Sequence, residues 1–149
     1  MKLTLFTDYS MRVLLYLGAR EQRLCSIGEV AKAYGISQNH LMKVVNELVR
    51  SGYIESVRGR FGGIRLGKPP NAINLGTLVR HTEEGFDLVD CGSCVIAPAC
   101  GLTGVLKEAL GAFLGVLDSY TLADLLARQP GFAAMFPLVS EPAEHRAKI

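Results

Sequence analysis

The stretch SIGEVAKAYGISQNHLMKVVNELVRSG, residues 26–52, decides the fold. Ser26 and Glu29 have the spacing at which two side chains satisfy each other's backbone donors at a helix start. Ile27, Val30, Ala31 and Tyr34 then recur at helical intervals, and Gly35 supplies a left-handed stop. Ser37 opens a second helix that gathers Leu41, Val44, Val45, Leu48 and Val49 on one face and ends at Gly52. Two helices divided by so short a turn predict a helix-turn-helix, whose second helix can enter a major groove.

Working outward, the side opposite that apolar stripe carries Asn39, Lys43, Asn46 and Arg50, at steps of four, three and four. Residues 53–57 and 64–66 predict two short strands joined by Arg58-Gly59-Arg60-Phe61-Gly62-Gly63. A basic, glycine-rich hairpin directly after a helix-turn-helix predicts a wing. Upstream, Thr7 is expected to cap a first helix that turns Met11, Leu14, Leu15 and Leu17 inward and ends near Gly18 to Arg20. Asp8 lies in its first turn, where a carboxylate suits the helix dipole.

Beyond the hairpin, Lys68-Pro69-Pro70-Asn71 marks a hinge, and Ile73, Leu75, Leu78 and Val79 predict a short helix ending near Glu84-Gly85. Gly92 and Pro98 keep the following cysteine-bearing segment irregular. From Leu102 onward, Leu106, Leu110, Phe113, Leu117 and Tyr120 recur in steps of three and four, predicting a long amphipathic helix. Gly104, Gly111 and Gly115 would let another helix approach it closely. Thr121 and Asp124 offer a cap for a last short helix, stopped by Pro130-Gly131, and residues 140–149 read as a polar, frayed end. A long helix whose apolar face outreaches a small wing domain calls for a second copy of the chain.

The expected fold is therefore mainly α with a small β wing. A winged helix-turn-helix occupies residues 1–68, a connecting helix and cysteine loop 69–101, dimerisation helices 102–128 and a C-terminal tail 129–149.

The length of 149 residues suits one domain with its own core, and 49% apolar with 20% charged residues excludes a disordered tail. The longest apolar run is broken at Lys107, Glu108 and Asp118, so no bilayer span is expected. Residues 1–7 lack the features of a signal peptide, which points to a reducing cytoplasm. The net charge of +2 conceals two unlike halves. Residues 1–68 hold 11 Lys+Arg against 5 Asp+Glu, a balance of +6, whereas residues 69–149 hold 5 against 9, a balance of −4. A basic first half is suited to a polyanion, here double-stranded DNA. Without a phosphate loop, a nucleophile elbow or an acid–base pair, catalysis is not expected.

The DNA-reading candidates are Ser37, Gln38, Asn39, His40 and Lys43 at the start of the second helix. Asn and Gln pair bidentately with adenine, Lys reaches guanine acceptors, and helix N-terminal amides favour phosphate. Arg58 and Arg60 at the hairpin tip suit a narrow A·T minor groove. Cys91, Cys94 and Cys100 supply three soft thiolates within ten residues, enough for most of a tetrahedral zinc site or of an iron–sulfur cluster. Cys100 also precedes a helix, whose dipole favours thiolate. The lone Cys25 reads as packing, and His81 and His145 show no ligand spacing. A structural zinc or a thiol redox switch remains an alternative at the cysteine loop. An electron-transfer protein is a third reading, though one with no need of a reading helix.

A basic winged helix, a three-cysteine loop and a long C-terminal helix together resemble the bacterial winged-helix repressor family that includes the iron–sulfur cluster regulator IscR, and within it the NsrR-type nitric-oxide-sensing repressors. The matching stretches are Phe6-Thr7-Asp8-Tyr9, Ile36-Ser37-Gln38-Asn39-His40, Val57-Arg58-Gly59-Arg60, Gly62-Gly63-Ile64-Arg65-Leu66, Pro98-Ala99-Cys100 and Tyr120-Thr121-Leu122-Ala123-Asp124-Leu125. Only Gly92 and Ser93 separate the first two cysteines, fewer than is usual in that family. The resemblance implies a homodimer holding an iron–sulfur cluster, 4Fe-4S in preference to 2Fe-2S, on Cys91, Cys94 and Cys100. It implies Asp8 of the other subunit as the fourth ligand and Arg12 near the DNA backbone. It further implies repression of nitric-oxide detoxification genes at imperfect palindromic promoter sites, with nitric oxide as the releasing signal.

Overall fold

Helix α1 (Leu5–Gly18) is the element on which helices α3 (Gln38–Arg50), α4 (Leu75–Thr82) and α6 (Leu122–Arg128) and strand β2 (Gly63–Leu66) all pack, in a computed structural model that describes residues 1–20 and 23–136. Its cap differs from the sequence expectation. Thr4, with extended backbone, accepts the Thr7 N–H at 3.3 Å, while Thr7 itself is helical and fully buried. The Thr7 hydroxyl is engaged elsewhere, donating to Thr82 Oγ1 at 2.8 Å. The inward face also differs: Val13, Leu14, Tyr16 and Leu17 are buried, and Met11 and Leu15 only partly so.

The helix-turn-helix forms as its spacing predicts. Helix α2 (Ile27–Tyr34) begins at Ser26, whose hydroxyl accepts from Glu29 N–H, and Gly35 closes it in the left-handed conformation. The Glu29 carboxylate is taken by Arg23 and by the Tyr16 hydroxyl. Helix α3 (Gln38–Arg50) buries Leu41, Val44, Val45 and Leu48. Strands β1 (Ile54–Val57) and β2 (Gly63–Leu66) pair antiparallel, with Ile54 opposite Leu66 and Val57 opposite Gly63. Cys25 bridges to Ile64 on β2, fixing the wing against the segment that precedes α2. The Pro-Pro stretch forms a short 3₁₀ turn, Pro70–Ala72, leading into helix α4 (Leu75–Thr82).

One core serves all of this. Ile73, Leu78 and Leu122 join the buried residues of α1, α3 and the wing, so the segments on either side of the cysteine loop close the same core. Helix α6 (Leu122–Arg128) has the predicted Thr121–Asp124 capping box. Helix α5 (Leu102–Asp118) is different: none of its residues is buried, and the Cβ positions of Gly104, Gly111 and Gly115 meet open space. Its C-terminal end is tied to α4 by the Arg80–Asp118 ion pair and by the Asn74 side-chain amide donating to the Asp118 carbonyl at 2.7 Å. Phe136 packs edge-on to Tyr34 and Tyr16 at 5.1 and 5.4 Å. The frayed end expected at residues 140–149 lies outside the described residues.

Candidate functional site

Burying one face of α3 leaves the other in solvent. Ser37, Gln38, Asn39, His40 and Lys43 are all exposed, as are Asn46 and Arg50. Ser37 stands at the cap position, but its hydroxyl makes no cap bond. The first turn carries no acidic residue, so the unsatisfied N–H groups and the positive dipole end are not neutralised by the helix's own side chains. Farther along, Glu47 pairs with Arg50 at 3.1 Å and meets His81 of α4 at 3.2 Å, anchoring the far end of α3. The near end is thus the open, donor-rich one.

At the wing, Arg58 and Arg60 are exposed at the hairpin tip, and an Arg65–Glu55 pair at 2.8 Å braces the strands. Phe61, which follows them in the turn, is 87% exposed, a feature that a basic, glycine-rich hairpin does not by itself imply.

Asp8 and Arg12 form a two-pronged ion pair on α1, with distances of 3.0 and 2.9 Å. That hydrogen bond raises the guanidinium pKa still further against a small burial cost. Arg12 also lies over the Tyr34 ring at 5.8 Å, and Tyr34 donates to the Arg12 carbonyl. Burial pushes the Tyr34 hydroxyl up to about 12, so it stays a neutral donor.

The cysteine loop is a chain of turns. Backbone bonds run from Cys94 N to Cys91 O, from Ala97 N to Cys94 O and from Cys100 N to Ala97 O, at 3.4, 3.2 and 3.4 Å. Cys94 is exposed, Cys91 and Cys100 are half-buried, and all three are free thiols. Cys91 Sγ lies 3.4 Å from Thr103 Oγ1 at the start of α5, beside a cleft of about 570 Å³ lined by residues that include Asp87, Asp90 and Lys107. Among the described residues, no three His, Cys, Asp or Glu side chains stand together in a geometry that would hold a metal ion. The loop therefore offers the donors without gathering them, and Asp8 of the same chain is occupied by Arg12.

One tie between α1 and the root of this loop had no signal in the sequence. The Glu83 carboxylate, just after α4, accepts from Thr4 N and Thr4 Oγ1 at 2.8 and 2.9 Å, capping α1 from 79 residues away. Burial works to raise the Glu83 pKa, but hydrogen bonds from first-turn threonines outweigh it and hold the carboxyl below its ordinary range. Together with Thr7–Thr82, this clamps the turn bearing Asp8 to the place where the cysteine segment begins.

Among the described residues no helix is long and apolar enough to cross a membrane. The HTH-type transcriptional regulator NsrR of Bacillus licheniformis is 52% identical over 135 residues, covering 87% of this chain and 94% of the relative. That of Bacillus subtilis is 54% identical over 132 residues, covering 85% and 90%. Among solved structures, IscR of T. potens superposes with a TM-score of 0.71 at 25% identity, covering 86% of this chain and 88% of that one. CymR, the global cysteine regulator of Bacillus subtilis, does so at 0.68 and 27% identity, covering 86% and 98%. The profile described as "Rrf2: Iron-dependent Transcriptional regulator" matches residues 3–128, which take in α3, the wing, the cysteine loop and α5 alike. A match that unites all four parts is more than a shared winged helix, and the chain belongs to the Rrf2 family of transcriptional regulators.

Proposed function

We propose that the chain is a cytoplasmic, homodimeric transcriptional repressor that senses nitric oxide through an iron–sulfur cluster and controls nitric-oxide detoxification genes. The observation that carries this reading is the tie from the cysteine loop's root to the first turn of α1, through Glu83–Thr4 and Thr82–Thr7. It gives an event at the loop a mechanical route to the helix against which α3 packs. The names of the half-identical relatives support the choice of signal.

The donor set fits the group. Cys91, Cys94 and Cys100 are free, soft and at least partly accessible, and Asp8 from the second copy would complete four ligands. When bound, such a cluster, 4Fe-4S in preference to 2Fe-2S, supplies iron with which nitric oxide combines. The chain's own residues do the rest. While Asp8 pairs with Arg12 the guanidinium is neutralised; drawing Asp8 away frees Arg12 for a DNA phosphate. A carboxylate among thiolates is the hard ligand in a soft set, hence the one first released. Its return to Arg12 would withdraw a backbone contact and loosen α1 against α3.

The reading assigns residues 1–68 to DNA binding, 69–101 to the connection and sensing loop, 102–128 to dimerisation and 129–149 to a tail. Gln38, Asn39, His40 and Lys43 would read the major groove of an imperfect palindrome, Ser37 would meet phosphate, and Arg58 and Arg60 would enter the minor groove. Dimerisation falls to α5, which among the described residues holds apolar side chains in solvent: Val105 is 61% and Val116 59% exposed.

The test is anaerobic. Protein purified without oxygen should be coloured, contain iron and sulfide, and lose its promoter affinity on adding nitric oxide. Serine at Cys91, Cys94 or Cys100 should abolish the colour, while Cys25→Ser, a residue buried at the wing, should keep it. Undiminished DNA binding after nitrosylation, or a colourless chain holding one zinc, would overturn the proposal.

A further inference from the structure

Phe61 is out of place by the ordinary logic of burial. It is a large aromatic side chain, 87% exposed, with the Arg60 guanidinium over its ring at 5.7 Å from the centroid. The core does not need it, since the wing is anchored through Ile54, Ile64 and Leu66, all buried.

The turn that presents it is tightly built. Gly62 N–H donates to the Gly59 carbonyl at 3.0 Å, and a Cβ on Gly62 would fall 2.1 Å from the Val57 carbonyl oxygen. Gly59 has φ +114, a conformation that other residues rarely adopt, and a Cβ there would meet nothing within 4 Å. These glycines leave a narrow hairpin end bearing the exposed Phe61, with the exposed Arg60 beside it and the exposed Arg58 at the strand end. A narrow, cationic, aromatic-tipped hairpin has the chemistry of a wedge. The cations are drawn to the negative potential of a minor groove, whose sugar walls are apolar, and an aromatic ring can displace the stacking of a base step that deforms easily.

We infer that Phe61 is an apolar wedge that enters the minor groove beside each half-site, partly unstacks one pyrimidine–purine step there and bends the duplex. The inference rests on the DNA-binding reading above and adds a specificity determinant outside the bases that α3 contacts. The wing would then select flanking DNA by deformability, which hydrogen-bonding arginines alone would not do.

The experiment starts from duplexes selected by the full-length chain out of a random-sequence DNA pool. A set differing only at the flanking step, TpA against GpC, is then compared by affinity and by donor–acceptor distance across the bend. Wild type should prefer the TpA flank about tenfold and bend it. Phe61→Ala should lose the preference and most of the bend with an unchanged salt slope, and Phe61→Leu should restore much of both. Arg60→Ala should instead reduce the salt slope by about one. Because Phe61 is exposed, its variants are expected to fold, and circular dichroism checks this. Equal flank preference and bend in wild type and Phe61→Ala would overturn the wedge alone. A chain that selects no sequence from the pool would overturn the DNA-binding reading and the wedge with it.

Discussion

A close backbone approach between Cys25 and β2 helps to hold the wing, and Gly63→Ala tests it. A Cβ at Gly63 would lie 2.7 Å from the Cys25 carbonyl oxygen, 3.2 Å from its carbon and 3.3 Å from its nitrogen. None of these is the movable end of a side chain, so the strand itself must retreat. Retreat stretches the two bonds of the Cys25–Ile64 bridge, Cys25 N to Ile64 O at 2.9 Å and Ile64 N to Cys25 O at 2.8 Å. Each contributes about 1 kcal/mol net. The backbone at Gly63, φ +156, adds strain of about 1–3 kcal/mol for any side chain. The sum is roughly 3–5 kcal/mol, or about 10–15 °C in Tm for a chain of this size. Gly59→Ala is the control: φ +114 costs comparable strain, but the new methyl meets nothing within 4 Å. Thermal and urea unfolding of both variants, followed by circular dichroism at one protein concentration, isolates the clash. Gly63→Ala should be less stable than Gly59→Ala by about 2 kcal/mol, the worth of the two bridge bonds. Equal stabilities would show that the Cys25 contact does not hold the wing.

Acid should expose the Glu29 network. Burial raises the Glu29 pKa, but bonds from Arg23 and Tyr16 overcome this and hold it below its ordinary 4.5. A lowered carboxylate pKa gives stability that is present above the unfolded value and lost as pH falls through the folded one. Wild type should therefore lose stability on acidification below about 4.5, and Glu29→Gln should flatten that slope; parallel profiles would refute it. On α5, Val105→Glu and Val116→Glu should each weaken self-association about tenfold or more, because each would bury an unpaired charge. A sedimentation profile unchanged from wild type would remove α5 as the interface. On α3, Lys43→Ala should relax preference at a guanine and Asn39→Ala at an adenine, each by about 1–3 kcal/mol. Unaltered preference in both variants would remove α3 as the reading helix.

The helix-turn-helix was legible in the sequence because its determinants are local. Ser26, Gly35, the spacing of Leu41, Val44, Val45 and Leu48, and the Thr121–Asp124 box act within a few residues of one another. The first helix shows where local reading stops. Thr4 and Thr7 are both plausible caps, and only the arrival of Thr82 at the Thr7 hydroxyl and of Glu83 at Thr4 settles which one serves. At the candidate sites the same division holds. Exposure of Ser37, Gln38, Asn39, His40 and Lys43 follows from the apolar stripe behind them, whereas the Asp8–Arg12 pair is allowed by an i, i+4 spacing but set only by the rotamers the fold selects. Phe61 was masked by the charge around it, since a basic hairpin explains itself without the ring.

The order of elements, the polar face of α3 and the presence of three thiols in one loop are written in the chain itself. All follow from periodicity and short-range hydrogen bonding, which need no knowledge of distant residues. Tertiary structure alone decided how these parts join. It brought Glu83 and Thr82 to the first turn of α1, Cys25 to the wing, and Ile73, Leu78 and Leu122 into the core shared by α1, α3 and the wing, while leaving no residue of α5 buried. Contacts between residues 39 to 79 positions apart are selected by the packing of the whole core, and no pattern within either segment records them.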